Sequence, residues 1–497
     1  MTDPSGAPVG ALGAILRRGA AMSAVALVLV QVISLAQTLV LARLLSPTEV
    51  GLFAAGTVLA TFLATFAEGA LTQALIQRGD ADLDDAADTV FWVTLGTGLL
   101  MSLVTLAAAP LVGMAFGASV AGTIAAVTSG TMVLHAVTNV PDALMQRRFD
   151  FRRRLIIDPA TVLTFAVVAV VFAALGFGVW SLVAGSYAQM TVWVVASWGL
   201  AGWRPGRGRP SVRLWREMAG FAFPLLLGSA VERIRDAVEL VVVGRVLNTA
   251  SLGFYRYARR IALLPGTAVI QAGAFVLFPA FSRIADDPER LRQAFLRALT
   301  WIWLAALPLA GLLVASGESL AVLLLGEPWR PAGVGLTAMA GFGLGQAMNA
   351  VTAEVLKGTG MSRRLNRLTG VGVFSGIGLL LVLVPFGLFG VGLAMSGASL
   401  AVGLTGLWSV RDVVGVSFPE LSGRLLPPLV AAAVAVATVA VLERTVIRAV
   451  TWPLPIGLGL VLAEALLLGL LYVGALRVIA PAVGSAVIGA IAGVVRR

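Results

Sequence analysis

The stretch ARLLSPTEVGLF, residues 42–53, returns in altered form as GRVLNTASLGFY at residues 244–255. At an offset of 202, Arg43 falls on Arg245, Leu45 on Leu247 and Gly51 on Gly253. Both copies leave one long apolar run and enter the next. A second echo follows: GFGVWSLVAG (176–185) and LFGVGLAMSG (388–397) match at Gly178/Gly390, Val179/Val391 and Gly185/Gly397, at an offset of 212. Two echoes in the same order and at nearly equal offsets divide the chain into two similar halves. Each half holds an even number of apolar runs, so both cross a bilayer in the same sense, as a parallel repeat about an axis along the membrane normal. Two such lobes facing a central cavity form the architecture of an alternating-access transporter.

Composition places these runs in a membrane. Of 497 residues, 59% are hydrophobic and 12% charged, with a mean hydropathy of +0.95. Soluble domains carry about a quarter charged residues. A span needs about 20 predominantly apolar residues. Candidates lie near 19–41, 50–75, 88–109, 111–139, 157–177 and 179–200, then 219–247, 254–281, 293–316, 332–355, 366–386 and 388–410, with two more at 424–442 and 455–477. The expected fold is therefore all-α and integral to the membrane, with about fourteen transmembrane helices. It comprises a cytoplasmic segment (1–18), a six-helix lobe (19–200), a basic linker (201–218), a second six-helix lobe (219–410), two appended helices (424–477) and a C-terminal tail (478–497). The first apolar run lacks a cleavage site before the next span and is expected to stay as a helix.

The chain has no cysteine and one histidine, His135. That excludes disulfides, thiolate nucleophiles and His-cluster metal sites, and no metal or cofactor is expected. The net charge of +11 points to basic cytoplasmic loops rather than to nucleic acid. With the N-terminus inside, the inner segments hold 26 Lys/Arg, the outer ones 8 and the seventh span 2. QRRFDFRRR (146–154) and WRPGRGRPSVRLWR (203–216) are the densest inner runs, and they can also attract anionic headgroups. Both termini are expected in the cytoplasm.

Within the seventh run, FAFPLLLGSAVERIRDAVELVVVGRVL (221–247), five of the ten residues 231–240 are charged: Glu232, Arg233, Arg235, Asp236 and Glu239. On a helix, Glu232, Arg235, Asp236 and Glu239 share an arc of about 100°, with Arg233 about 60° beyond it. A charge at the bilayer centre costs at least about 2.5–3.5 kcal/mol, so the stripe is expected to face protein or water rather than lipid. Two compatible readings follow. Pairs at i,i+3 and i,i+4 spacing (Glu232–Arg235, Arg233–Asp236, Arg235–Glu239) can neutralise one another, or the stripe lines an aqueous cavity.

LARLLSPTEVGLFA (41–54), QRRFDFRRRLII (146–157), GFGVWSLVAG (176–185), VGRVLNTASLGFYRYARRIALLP (243–265) and LFPAFSRIADDPERLRQAFLRAL (277–299) resemble the polysaccharide transporter family of bacterial oligosaccharide flippases, within the multidrug/oligosaccharidyl-lipid/polysaccharide exporter superfamily. The similarity runs from about residue 20 to 410. It implies a flippase in the bacterial cytoplasmic membrane that moves undecaprenyl-pyrophosphate-linked oligosaccharide units to the outer leaflet. The implied partners are that lipid-linked glycan, membrane lipids, and a polysaccharide polymerase and glycosyltransferases; nucleic acid is not among them. One departure stands in the seventh helix, where Glu239 replaces the Asp usual in the family.

With such a substrate, arginine suits the pyrophosphate because its planar fork binds phosphate oxygens bidentately. The expected site takes Arg233 and Arg235 from the seventh helix and Arg256, Arg259 and Arg260 from YRYARR at the start of the eighth. Glu239 and Arg260 are expected at depths agreeing within roughly 3 Å, at 1.5 Å per residue. Glu232, Asp236 and Glu239 serve as pairing or coupling carboxylates. Gln37 falls on Glu239 at the 202 offset and is expected to face the cavity from the first lobe. Glu68 is either cavity-lining or a capping group. Glu464 reads as a contact between an appended helix and a lobe, and His135 as a hydrogen-bonded structural residue. The Asp-x-Asp pattern in GDADLDDAAD (79–88) reads as a solvated acidic turn rather than a glycosyltransferase metal motif. The alternatives are a cation-coupled drug exporter or peptidoglycan-precursor flippase of the same superfamily. A membrane glycosyltransferase or polymerase is disfavoured, because the external connections are short.

Overall fold

The computed structural model describes the backbone of residues 9–68, 71–79, 82–148 and 151–495. It describes their side chains except at 9–24, 67–68, 151–154, 224–225, 264–276, 491 and 493–495. The expectations on the side chains of Arg17, Arg18, Glu68 and Arg152–Arg154 lie outside the described residues.

The chain divides into two compact units, Met1–Ala250 and Ser251–Arg497. The first contains α1 (Val9–Leu44), α2 (Pro47–Glu68), α3 (Leu71–Gln77), α4 (Leu83–Phe116), α5 (Ser119–Thr128), α6 (Thr131–Arg147), α7 (Phe151–Ala174), α8 (Trp180–Ala201) and α9 (Val212–Val246). With α10 (Thr249–Arg283) the chain passes into the second unit, followed by α11 (Pro288–Leu325), α12 (Arg330–Ala338), α13 (Ala340–Gly358), α14 (Leu365–Leu383), α15 (Gly387–Val414), α16 (Phe418–Leu442), α17 (Leu454–Ile479) and α18 (Pro481–Val495). Among the described residues, nine helical stretches are long and apolar enough to cross a membrane, one of them (Ser362–Val414) joining two expected spans. This is a multi-pass, all-helical membrane protein.

Three boundaries differ from the sequence expectation. The third span does not end near 109: α4 continues through Pro110 to Phe116, and Gly117, at φ +64°, caps it in the left-handed conformation. Proline removes one backbone donor but did not stop this helix, while glycine accepts positive φ without strain. The ninth span extends to Leu325, with a break at Ser316 (φ −121°, ψ 22°) that lies within α11. Residues 481–495, expected as a tail, form α18, which packs on α17.

The repeated motif is a helix start. In SPTE, the Ser46 N–H and Oγ donate to Glu49 Oε2 at 2.7 and 2.8 Å, and the Glu49 N–H donates to Ser46 Oγ at 3.3 Å. This is a capping box, with Pro47 preset for the first helical position. The most specific family stretch works alike: Asp287 caps α11 by accepting from the Arg290 N–H at 3.1 Å, with Pro288 following it. In the first unit the two echo motifs meet. Leu52 and Phe53 pack with Val179 and Val183 around Ile124, and a Cβ on Gly178 would stand 2.3 Å from Glu49 Oε1.

Within the first unit, α2 packs on α4, α5 and α9, and α7 lies against α1 and α8. The lower half of α9 presents Leu214, Met218 and Ala222, four residues apart, to a core of Leu75, Ala86, Val90, Phe91, Leu144 and Trp203. The second unit is built on α13, α15 and α11 around Phe295, Trp303, Met348, Val351 and Val410.

Candidate functional site

The charged stripe lies on α9, in the half beyond the residues that anchor it in the first-unit core. Exposure falls along the helix: Glu232 and Arg233 are exposed, the Arg235 and Asp236 side chains are each 32% exposed, and Glu239 is 8% exposed. Arg235 makes its ion pair with its sequence neighbour, Nη2 to Asp236 Oδ1 at 3.3 Å, not at the i,i+3 or i,i+4 spacing expected. A pair between neighbouring residues lies across the helix surface rather than along it, so it leaves the rest of the guanidinium available. The Nε of Arg235 is buried without a hydrogen-bond acceptor. Glu239, the residue expected to pair along the helix, is the most buried of the stripe.

Gln37, on α1, is half-buried, and its side-chain carbonyl oxygen has no donor. A buried amide oxygen without a donor costs about 1–3 kcal/mol. Glu68 closes α2, and its side chain lies outside the described residues.

In the second unit, YRYARR sorts its residues by side. Tyr255, Tyr257 and Ala258 are buried, Arg256 is exposed, and Arg259 and Arg260 are half-buried. Tyr257 stacks on the fully buried Trp329 with ring centres 4.4 Å apart and planes 10° from parallel, and Phe254 meets the same indole edge-on. Arg259 Nη1 donates to the Tyr255 hydroxyl at 3.2 Å. The aromatics thus fix the first turns of α10 and present a cluster of guanidinium groups beside them, a fitting arrangement for an anion with several oxygens.

Other polar groups join helices within each unit. Asp142 accepts from Trp193 Nε1 and Ser197 Oγ, both at 2.8 Å, joining α6 to α8. His135 lies edge-on to the same Trp193. Glu464 accepts from Ser316, linking α17 to α11 as the sequence suggested.

The acidic stretch 79–88 is solvated at Asp82 and Asp84, as expected, but not at its end. Asp88, 0% exposed, accepts from the Gly206 N–H at 3.1 and 3.0 Å and from the Gly208 N–H at 2.7 Å. Asp85 accepts from the Arg209 N–H at 2.8 Å, and Thr89 Oγ1 from the Ser211 N–H at 3.0 Å. The start of α4 therefore clasps the basic linker by its backbone. Sequence reasoning missed this, although three acceptors within five residues facing a Gly-x-Gly segment were a usable sign.

With this geometry in view, comparison with known proteins places the chain. A family model described as polysaccharide biosynthesis protein matches residues 40–333, more than half of its length. The chain belongs to that family. Similar proteins include the succinoglycan biosynthesis transport protein ExoT of Rhizobium meliloti (strain 1021), 29% identical over 290 residues, 58% of each chain. Another is the lipopolysaccharide biosynthesis protein WzxC of Escherichia coli (strain K12), 26% identical over 321 residues, 63% of each chain. The teichuronic acid biosynthesis protein TuaB of Bacillus subtilis (strain 168) is 21% identical over 319 residues, 63% of this chain and 65% of its own. The alignments span about three fifths of these curated relatives. Among solved structures, a lipid II flippase MurJ in an inward closed conformation matches 92% of this chain and 98% of its own, with a TM-score of 0.75 at 14% identity. An inward-facing multidrug resistance MATE transporter matches 78% and 95%, with a TM-score of 0.62 at 18% identity. The polysaccharide-family chain thus shares a transporter fold with both. Its stripe on α9 and the arginines of α10 both fall inside the matched 40–333.

Proposed function

We propose that this protein is a flippase. It carries a polyprenyl-pyrophosphate-linked oligosaccharide from the inner to the outer leaflet of the bacterial cytoplasmic membrane, for cell-surface polysaccharide synthesis. The supporting observation is that the family-matched stretch 40–333 contains the densely charged helix α9, in a chain whose relatives are named for succinoglycan transport and for lipopolysaccharide and teichuronic acid biosynthesis. The fold likeness alone does not separate a lipid-linked glycan from a drug, because it extends to MurJ and MATE alike; the family match favours the glycan. The protein works as a transporter and makes no covalent change in its cargo. It works by alternating access of two six-helix halves, 19–200 and 219–410, with both termini in the cytoplasm.

In this reading Arg235 and Arg260 hold the pyrophosphate, helped by Arg233, Arg256 and Arg259. Glu232, Asp236 and Glu239 partner the arginines when no substrate is present, and Gln37 offers its free oxygen to the glycan. The lipid tail stays in the bilayer while the polar head passes through the interior. The test measures export and membrane abundance together in Arg235→Ala, Arg260→Ala and Glu239→Gln. A binding role lowers export at near-normal abundance, with lipid-linked glycan accumulating on the inner leaflet. A bracing role loses the ion pair between Arg235 and Asp236 and lowers abundance instead. Normal export in all three variants removes the stripe from the mechanism.

A further inference from the structure

The second unit buries two acids that neither the family stretch nor the transport reading uses. The hairpin between α16 and α17 opens with a π-helical turn, Glu443–Ile447, and continues through Arg448 in the left-handed conformation (φ 44°, ψ 55°). Such π-turns in a helix recur at functional sites. Here the turn directs Glu443 inward, at 6% exposure, where Glu464 of α17 is 1% exposed. The two carboxyl groups are brought to the same stretch of α11, where they accept from hydroxyls only three residues apart. Opposite them, α11 breaks its helical path at Ser316. Ser316 Oγ donates to Glu464 Oε2, and Ser319 Oγ donates to Glu443 Oε1. The Ala449 N–H donates to both Glu443 oxygens at 3.3 and 3.2 Å.

The donors are unequally shared. Glu443 receives a hydroxyl and a backbone N–H, whereas Glu464 receives one hydroxyl, and its Oε1 is buried with no donor at all. Among the described residues, the charged and titratable groups of the packed elements supply no counter-charge. Glu318 on α11 is engaged by Arg330. Arg444 and Arg448 are exposed, the latter turned back so that its Nε donates to the Arg444 carbonyl at 3.2 Å. Arg424 lies at the far end of α16, and Tyr472 stands eight residues along α17 from Glu464, roughly 12 Å away. Two ionised carboxylates side by side, buried and without a cation, repel each other strongly, and a proton shared between them removes the repulsion and supplies the missing donor.

We propose that Glu443 and Glu464 form an internal proton-binding site. Glu464 carries the proton and donates it to Glu443, whose donors favour the ionised form. One proton enters, one charge is removed, and the carboxyl–carboxylate bond joins α17 to the turn after α16. Loss of the proton places two like charges in the hairpin and loosens it from α11. The site lies beyond the family-matched stretch 40–333 and stands independently of the transport reading.

Infrared spectroscopy of the purified full-length protein in nanodiscs tests this. At neutral pH the wild type should show the carbonyl stretch of a buried protonated carboxyl. That band should disappear in Glu464→Gln and in the apolar Glu464→Met, fade as the pH is raised, and ignore added sodium. Glu464→Gln keeps an N–H donor in place, so it should melt near the wild-type temperature at neutral pH and lose the wild type's fall in stability at alkaline pH. Absence of the band in wild type, or its persistence in either variant, overturns the proposal. So does its displacement by sodium, which would assign the pair to a metal cation.

Discussion

Replacing Asp88 by Ala should release the linker between α8 and α9 without unfolding the first unit. The Asp88 carboxylate takes two backbone N–H groups, those of Gly206 and Gly208, at 2.7–3.1 Å. Hydrogen bonds to a charged group contribute about 1.5–3 kcal/mol each, and the freed N–H groups regain water once the loop lifts. The net change in the opening equilibrium is therefore about 3 kcal/mol, or on the order of 100-fold in the open population. Limited trypsin digestion reads this directly, since the bonds after Arg204 and Arg209 precede proline and are resistant, leaving Arg207–Gly208 as the cleavable bond within 203–211. On detergent-purified protein, Asp88→Ala should raise the initial cleavage rate there by about that factor, with Asp88→Asn between it and the wild type. Gly208→Ala should act alike, because its Cβ would fall 2.4 Å from the Asp84 carbonyl and the Asp85 nitrogen, all backbone atoms. Wild-type cleavage rates in both Asp88→Ala and Gly208→Ala would refute the clasp.

Single cysteines in this cysteine-free chain at Pro210, Asp286 and Ser362 should label from the cytoplasmic face, and those at Met114 and Ala250 from the outside; labelling of any inner and outer site from one face contradicts the orientation. Gly345→Ala should lower the melting temperature by an amount equivalent to about 1–3 kcal/mol, since its Cβ would meet the Ser399 carbonyl carbon at 2.2 Å where α13 crosses α15. In the turn after α11, the Arg330 Nε donates to Glu327 Oε1 at 2.7 Å and holds that carboxyl below the usual carboxylate range. The contact should persist above the ordinary carboxylate value and be lost as the pH falls through the lowered one. A side-chain NMR titration of Glu327 in wild type and Arg330→Gln checks this, and an identical midpoint in both contradicts it.

Helix existence was legible because apolar runs of about 20 residues have few other homes. Helix ends were less so. The third span was expected to end near 109, yet α4 passes through Pro110 to Phe116 and is capped by Gly117, because a proline's lost donor is tolerated when neighbouring helices support the backbone. Of the candidate site, the charge density on α9 was visible at once, but not the order of burial from Glu232 to Glu239, which depends on which neighbours α9 packs against. Pairings across the chain, such as Asp88 with 206–208 or Glu443 with Ser319, join residues more than a hundred positions apart. No periodicity encodes them.

The clasp on the linker engages main-chain atoms and leaves the side chains outward. Arg204, Arg207, Arg209, Arg213 and Arg216 are all exposed, and near an anionic leaflet each contributes about 1 kcal/mol of attraction. Mechanical attachment and surface charge are thus carried by different atoms of the same few residues. The mutational tolerance of this segment should accordingly run against intuition. Individual arginines can be exchanged for other polar residues with the loop still seated, whereas Gly206 (φ +92°) and Gly208, which carry no charge at all, cannot be replaced without unseating it.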